Sequence, residues 1–189
     1  MRAKRTMTEQ ARRTQIVAAA IEVIAESGPQ ASFKAIAERA ELSSTGLISY
    51  HFANRQELIE EVGREILAVF GGFVLDRTSG IEEPAEVLQA FVTANLAFLE
   101  NHRAHAATLV RIEPDTGELA RSDQAQLADV LRRGQADGSF RAFDPHLMAV
   151  FILSVRDGII RQLELDPALD FDAVAREFGE LVSAATRKP

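Results

Sequence analysis

Apolar side chains recur every three or four positions along most of the chain, a spacing that predicts successive helices rather than strands. Ile16, Ala19, Ala20, Val23, Ile24 and Ser27 define the inner face of a first helix over residues 9–27, which Gly28 and Pro29 terminate. Ser32 is placed to cap a short second helix. Its apolar positions Phe33, Ile36, Ala37 and Ala40 follow i, i+3, i+4, i+7 spacing, leaving Lys34, Glu38 and Arg39 in solvent. After a turn near Glu41 and Leu42, Ser43 is read as the cap of a third helix through Gly46, with Leu47 and Ile48 inward. Ser44, Thr45, Ser49, Tyr50 and His51 then point outward. Asn54 and Glu57 make a capping-box start to a fourth helix with the stripe Leu58, Val62, Ile66, Val69 and Phe73, whose end Gly71 and Gly72 weaken.

Residues 76–83 read as a loop, and Pro84 suits the first turn of a helix with apolar positions Val87, Leu88, Phe91, Leu96, Phe98 and Leu99. Helices follow around residues 105–112 and 118–135, then a loop over 137–143. Asp144 and Pro145 open a longer helix with a wide face of Leu147, Val150, Phe151, Ser154, Val155, Gly158, Ile159 and Gln162. Asp170 caps the last helix, where Phe171, Val174, Phe178, Leu181 and Val182 repeat at helical spacing. No strand pattern competes, and no internal repeat is present.

A composition that is 47% hydrophobic supports a real core. The absence of cysteine removes disulfides, thiolate metal sites and cysteine nucleophiles. No apolar run approaches membrane-spanning length, and the basic start is followed by polar residues, so a cytoplasmic protein is expected. The net charge of −7 is unevenly divided. Residues 1–52 carry seven Lys/Arg against five Asp/Glu, while residues 53–189 carry fourteen against twenty-three. Arg2, Lys4, Arg5, Arg12 and Arg13 thus gather positive charge beside the hydroxyl-rich third helix, where phosphate contact is expected of them.

Two short amphipathic helices around a turn also occur in helical proteins without a nucleic-acid partner. The wider pattern narrows the choice. An amphipathic first helix, Gly28, the pair Ile36 and Ala37, Ser43, the run Tyr50-His51-Phe52, and Arg55 with Leu58 come in order over roughly residues 9 to 62. This order resembles the amino-terminal domain of the TetR family of bacterial transcriptional regulators. Two features depart from the family pattern: Glu41 stands where the turn usually has glycine, and the stretch from Ser43 to Phe52 is one residue longer. Counting forward from Ser43 puts Ile48 at the family's phosphate-contacting tyrosine. Counting back from Phe52 puts Ser49 there and keeps Tyr50 and His51 in their usual places, and is preferred.

The resemblance implies an all-α fold of roughly nine helices, with a three-helix helix-turn-helix DNA-binding domain over residues 1–53 and a helical effector-binding and dimerisation domain over 54–189. It implies a repressor that binds a palindromic double-stranded operator as a homodimer through its last two helices and is released by a small-molecule effector of unknown identity. Ser154 and Gly158 would supply a small-residue seam at the dimer interface. The expected DNA contacts are Ser32, Lys34, Ser43, Ser44, Thr45, Gly46, Ser49, Tyr50, His51 and Arg55. The expected ligand contacts are Phe70, Phe73, Phe91, Phe98, His102, Arg111, Phe151 and Asp157.

No nucleophile elbow, phosphate-binding glycine loop or metal-ligand spacing is present, so no catalytic residue, metal or cofactor is assigned. His102 and His105 share a helix spacing but lack a third ligand, and read as partly exposed or pocket-lining residues. Arg156 with Asp157 reads equally as a buried pair, an interface contact or a polar ligand anchor. Two competing functions are a DNA-binding adaptor controlled by a protein partner, which would have a filled core, and a small helical enzyme, which would need convergent titratable groups in a cleft.

Overall fold

A computed structural model describes residues 7–112, 117–166 and 168–188, so Arg2, Lys4 and Arg5 lie outside the described residues. Among the described residues the chain forms nine helices. These are α1 (Met7–Ser27), α2 (Phe33–Arg39), α3 (Gly46–His51), α4 (Arg55–Thr78), α5 (Pro84–Asn101), α6 (Arg103–Ile112), α7 (Gly117–Ala136), α8 (Pro145–Leu165) and α9 (Phe171–Thr186). An isolated bridge between Phe140 and Arg187 is the one β-type pairing among them. None of the described helices is long and apolar enough to cross a membrane.

Two compact units emerge, one of residues 1–69 with 103–114 and one of residues 70–102 with 115–189. The expected division at residue 53 separates functions; the compact units are drawn differently. The first unit also holds α6 and the opening turns of α4, because both complete the core that α1 to α3 begin.

Within the first unit, Ile16, Ala20, Ile24, Ile36, Ile48, Phe52, Leu58, Val62 and Ile66 pack as one buried cluster. Helix α1 is covered on two sides, by α2 and by α6. For that reason Val17 and Ile21 are buried along with the expected inner face, whereas Ser27, placed on that face from spacing, is exposed. The backbone of Gly28 closes α1 at φ +82°, donating 2.8 Å to the Ile24 carbonyl.

Helix α4 opens with the expected box: Asn54 Oδ1 accepts from the Glu57 N–H at 2.9 Å, and Glu57 Oε2 accepts from the Ala53 N–H at 2.8 Å. It does not weaken at Gly71 and Gly72 but continues to Thr78, which shortens the following loop to residues 79–83. Two glycines cost a helix about 2 kcal/mol. Aromatic packing of Phe70 and Phe73 on Phe98 outweighs this, with ring centroids 5.1 and 5.5 Å apart.

In the second unit α5 packs against α7 and α9, and α7 against α8. Asp144 caps α8 by accepting from the N–H groups of His146 and Leu147, and Asp170 caps α9 by accepting from Ala173. Met148, Ala149, Ile152 and Leu153 form the buried side of α8. The face read from spacing lies mostly on its other side, where Leu147, Phe151 and Val155 are exposed. Leu181 of α9, expected inward, is also exposed.

Candidate nucleic-acid interface

Ser32 caps α2 as its position predicts, its Oγ accepting from the Ala35 N–H at 3.1 Å. The helix then ends in a Schellman arrangement: the Leu42 N–H donates to the Ala37 carbonyl at 2.9 Å and the Glu41 N–H to Glu38 at 3.1 Å. Glu41 occupies the left-handed position, with φ 51°, the only described non-glycine residue at positive φ. That geometry explains why glycine is usual there.

Ser43 does not cap α3. The helix begins only at Gly46, after Thr45, and has no side-chain cap bond. Ser43, Ser44 and Thr45 instead form the exposed turn leading into it. Ile48 is fully buried and Leu47 only partly, so Ile48 is the principal inward residue of α3. The position reached by counting forward from Ser43 is therefore in the core, while Ser49 and Tyr50 face solvent. Tyr50 is 72% exposed and meets the His51 ring edge-on at 5.0 Å. The result is a six-residue helix with an apolar inner side and a polar, hydroxyl-rich outer one, which can donate to phosphate oxygens and base edges.

Several cations counted as free from the sequence are held within the unit. Arg13, expected to face phosphate, is 2% exposed. Its guanidinium donates to the His51 carbonyl, lies 3.1 Å from Glu61 and 3.6 Å from Glu57, and stacks 4.0 Å above the Phe52 ring. Lys34 pairs with Glu38 at 3.8 Å. Arg39 bridges Glu26 and Glu22 at 2.8 Å each, and hydrogen bonds to Glu26 and then Glu22 push its pKa further up. Arg55 donates to the Pro29 carbonyl, tying the start of α4 to the loop before α2. Gln15 donates to the Ala40 carbonyl at 2.7 Å.

The expected ligand residues divide. Phe70, Phe73, Phe98 and His102 come together, His102 stacking on Phe98 at 4.5 Å and meeting Phe73 edge-on at 5.5 Å. Arg77 lies over Phe73 at 3.4 Å and Arg156 near the Phe70 face at 5.7 Å. Phe91 is half-buried on α5, its carbonyl accepting from Asn95 at 2.8 Å.

Arg156 pairs with Asp157 at 2.9 Å and with Asp123 at 3.7 Å. Burial raises the Asp123 pKa, against the lowering influence of Arg156. Asp157 is thus one side of a partly buried ion pair. Phe151 points away from the core, and Arg111 belongs to the first unit, where it donates to the Ile24 and Ala25 carbonyls at the end of α1.

A separate groove of about 660 Å³ runs between α5 and α9, lined by Leu88, Val92, Phe140, Arg176, Val182 and Arg187 among others. None of the expected ligand residues borders it. Sequence reading missed the roles of Arg13, Gln15 and Asp123. The detectable signal for Arg13 was its place three residues before Ile16, a charge on the apolar stripe of α1.

A short exposed helix held after a tight turn, on a core shared with α1 and α4, defines a helix-turn-helix protein. Residues 16–62 match the family model described as bacterial regulatory proteins, tetR family. Over those residues the chain is similar to the TetR family. It is 36% identical over 86 residues to the HTH-type transcriptional regulator BetI 1 of Chromohalobacter salexigens, a match covering 44% of this chain and 42% of that one, so it spans less than half of that relative.

Solved structures extend the likeness in fold to nearly the whole chain. The fatty acid degradation regulator FadR from Bacillus halodurans superposes with a TM-score of 0.80 at 22% identity, over 95% of this chain and 96% of that one. AibR, solved in complex with isovaleryl coenzyme A and operator DNA, gives 0.77 at 18% identity, over 90% and 97%.

Proposed function

We propose that the chain is a cytoplasmic transcriptional repressor that binds a palindromic operator as a homodimer and is released by a small molecule held in its second unit. The observation that carries the DNA-binding reading is the division of α3, with Ile48 and Phe52 in the core and Ser49 and Tyr50 outside, preceded by the exposed Ser43, Ser44 and Thr45. Ser32, Lys34, Gly46, His51 and Arg55 flank this surface as further DNA contacts. Lys34 would exchange its exposed partner Glu38 for phosphate at little cost, because such pairs are worth well under about 1 kcal/mol.

The homodimer is supported by Leu147, Phe151 and Val155, at i, i+4 and i+8 of α8, with Ser154 and Gly158 beside them and Leu181 exposed on α9. A β-carbon added at Gly158 would meet nothing within 4 Å. Such a face suits a second copy of the same helices. A dimer would present two recognition helices, and a single six-residue helix reads too few bases for selectivity.

The effector reading rests on the aromatic group Phe70, Phe73, Phe98 and His102, with Phe91 on α5, which also carries Phe98, and on the Arg156, Asp123 and Asp157 cluster as a polar anchor. A ligand would act by binding the DNA-incompetent arrangement more tightly. Acyl coenzyme A thioesters are the first probes to try, because AibR was solved with one.

Selection of duplexes from a randomised pool, followed by gel shift, tests the reading. A palindromic consensus, salt-sensitive binding, and loss of the shift in Tyr50→Ala or Thr45→Ala are expected. A folded chain that enriches no sequence at low salt would refute it.

A further inference from the structure

Helix α3 is too short to hold its own direction. Six residues form barely more than one turn of hydrogen bonds, so its orientation must come from what grips it. Ile48 and Phe52 anchor its inner side by packing, which fixes depth better than angle. Its carboxyl end is gripped by the side chain of Arg13. The Arg13 guanidinium donates to the His51 carbonyl, in the last residue of α3, and covers the Phe52 ring at 4.0 Å. The same head group lies 3.1 Å from Glu61 and 3.6 Å from Glu57, in the first two turns of α4.

We infer that Arg13 is the positioning residue of the recognition helix, joining the carboxyl end of α3 to the start of α4 so that the angle at which Tyr50 and Ser49 meet DNA follows the first turns of α4. This rests on the DNA-binding reading above and goes beyond it in naming the link.

Chemistry favours arginine for the task. A planar guanidinium presents donors in fixed directions, so one group can serve a carbonyl and two carboxylates while stacking on an aromatic face; a lysine ammonium offers a point charge without the plane. The surrounding atoms are themselves constrained. Glu57 also accepts the Ala53 N–H at 2.8 Å, and Glu61 also pairs with Arg64 at 2.6 Å. The linkage thus runs from the backbone of α3 to side chains already fixed at the opening of α4. Gln15, two residues along α1, does the equivalent for α2 through the Ala40 carbonyl. A direct contact between Arg13 and phosphate is not available at 2% exposure.

Tyr50 is the only tyrosine in a chain without tryptophan, so its emission reports the motion of α3 directly. The test compares wild type, Arg13→Lys and Glu61→Gln by far-ultraviolet circular dichroism, by decay of Tyr50 fluorescence anisotropy, and by affinity for a fluorescein-labelled duplex enriched by the wild-type chain. Arg13→Lys should retain its helix content, depolarise Tyr50 faster and bind the duplex about tenfold more weakly, with an unchanged slope of log affinity against log salt. Glu61→Gln, which leaves the bond to His51 in place, should move both readouts the same way by about threefold in affinity. If Arg13→Lys fails to fold, Glu61→Gln decides.

A folded variant with wild-type Tyr50 decay and affinity would overturn the assignment, as would a salt slope reduced by about one phosphate in Arg13→Lys. Failure of the wild-type chain to enrich any duplex would refute DNA binding instead, and the Tyr50 decay, which needs no DNA, would still test the hold of Arg13.

Discussion

The Thr108 hydroxyl donates 2.7 Å to the Ile21 carbonyl, joining α6 to the middle of α1 across 87 positions of sequence. Thr108 is fully buried, and Arg111 one turn later adds bonds to Ile24 and Ala25. Thr108→Val preserves shape and removes the donor. It should lower stability by about 1 kcal/mol, read as a lower urea midpoint at constant m-value.

Glu41 carries the cost of a left-handed backbone at a position that glycine adopts freely. Glu41→Gly keeps both Schellman hydrogen bonds and relieves that strain, so it should stabilise the first unit by about 1 kcal/mol. A thermal midpoint unchanged or lowered would contradict the assignment.

Gly134 in α7 faces the Phe140 ring, and a β-carbon there would overlap the ring atoms Cδ2 and Cε2. Alanine is the better helix former by about 1 kcal/mol, yet Phe140 is buried and its N–H is bonded to the Gly134 carbonyl at 2.8 Å. Steric overlap should win. Gly134→Ala is expected to destabilise by about 1–3 kcal/mol in denaturant titration, and a neutral result would mean the ring moves freely.

Phe151 is 61% exposed between Leu147 and Val155. Under the dimer proposal Phe151→Glu places a charge in the centre of the interface. Sedimentation should show the folded variant as a monomer, with operator affinity reduced by more than about tenfold. A dimer that persists would move the interface elsewhere.

Much of this architecture was legible because its signals are local. Gly28, Ser32, Asn54, Asp144 and Asp170 each mark a helix end through atoms no more than four residues away, and all five do so here. Ser43 failed as a cap because the Schellman turn through Leu42 sets where the chain can re-enter a helix.

Distance in sequence hid the rest. Arg13 looked like a free cation because His51 and Glu61 lie 38 and 48 positions away. The continuation of α4 past Gly71 and Gly72 depends on Phe98 in another helix. On α8, spacing picked out the face of Leu147, Phe151 and Val155, but local periodicity carries no information on which apolar side meets the core; Met148 with Ile152 takes that role while Leu147 and Phe151 are left outside.

Arg39, shared between Glu22 and Glu26 at the surface, fastens the end of α2 to α1 through charge that dissolved ions can screen. Raising ionic strength should therefore loosen the head itself while it displaces the head from nucleic acid. The measured dependence on potassium chloride then records more than the number of phosphates neutralised, and replacing Arg39 and its two glutamates with neutral residues would separate the two contributions.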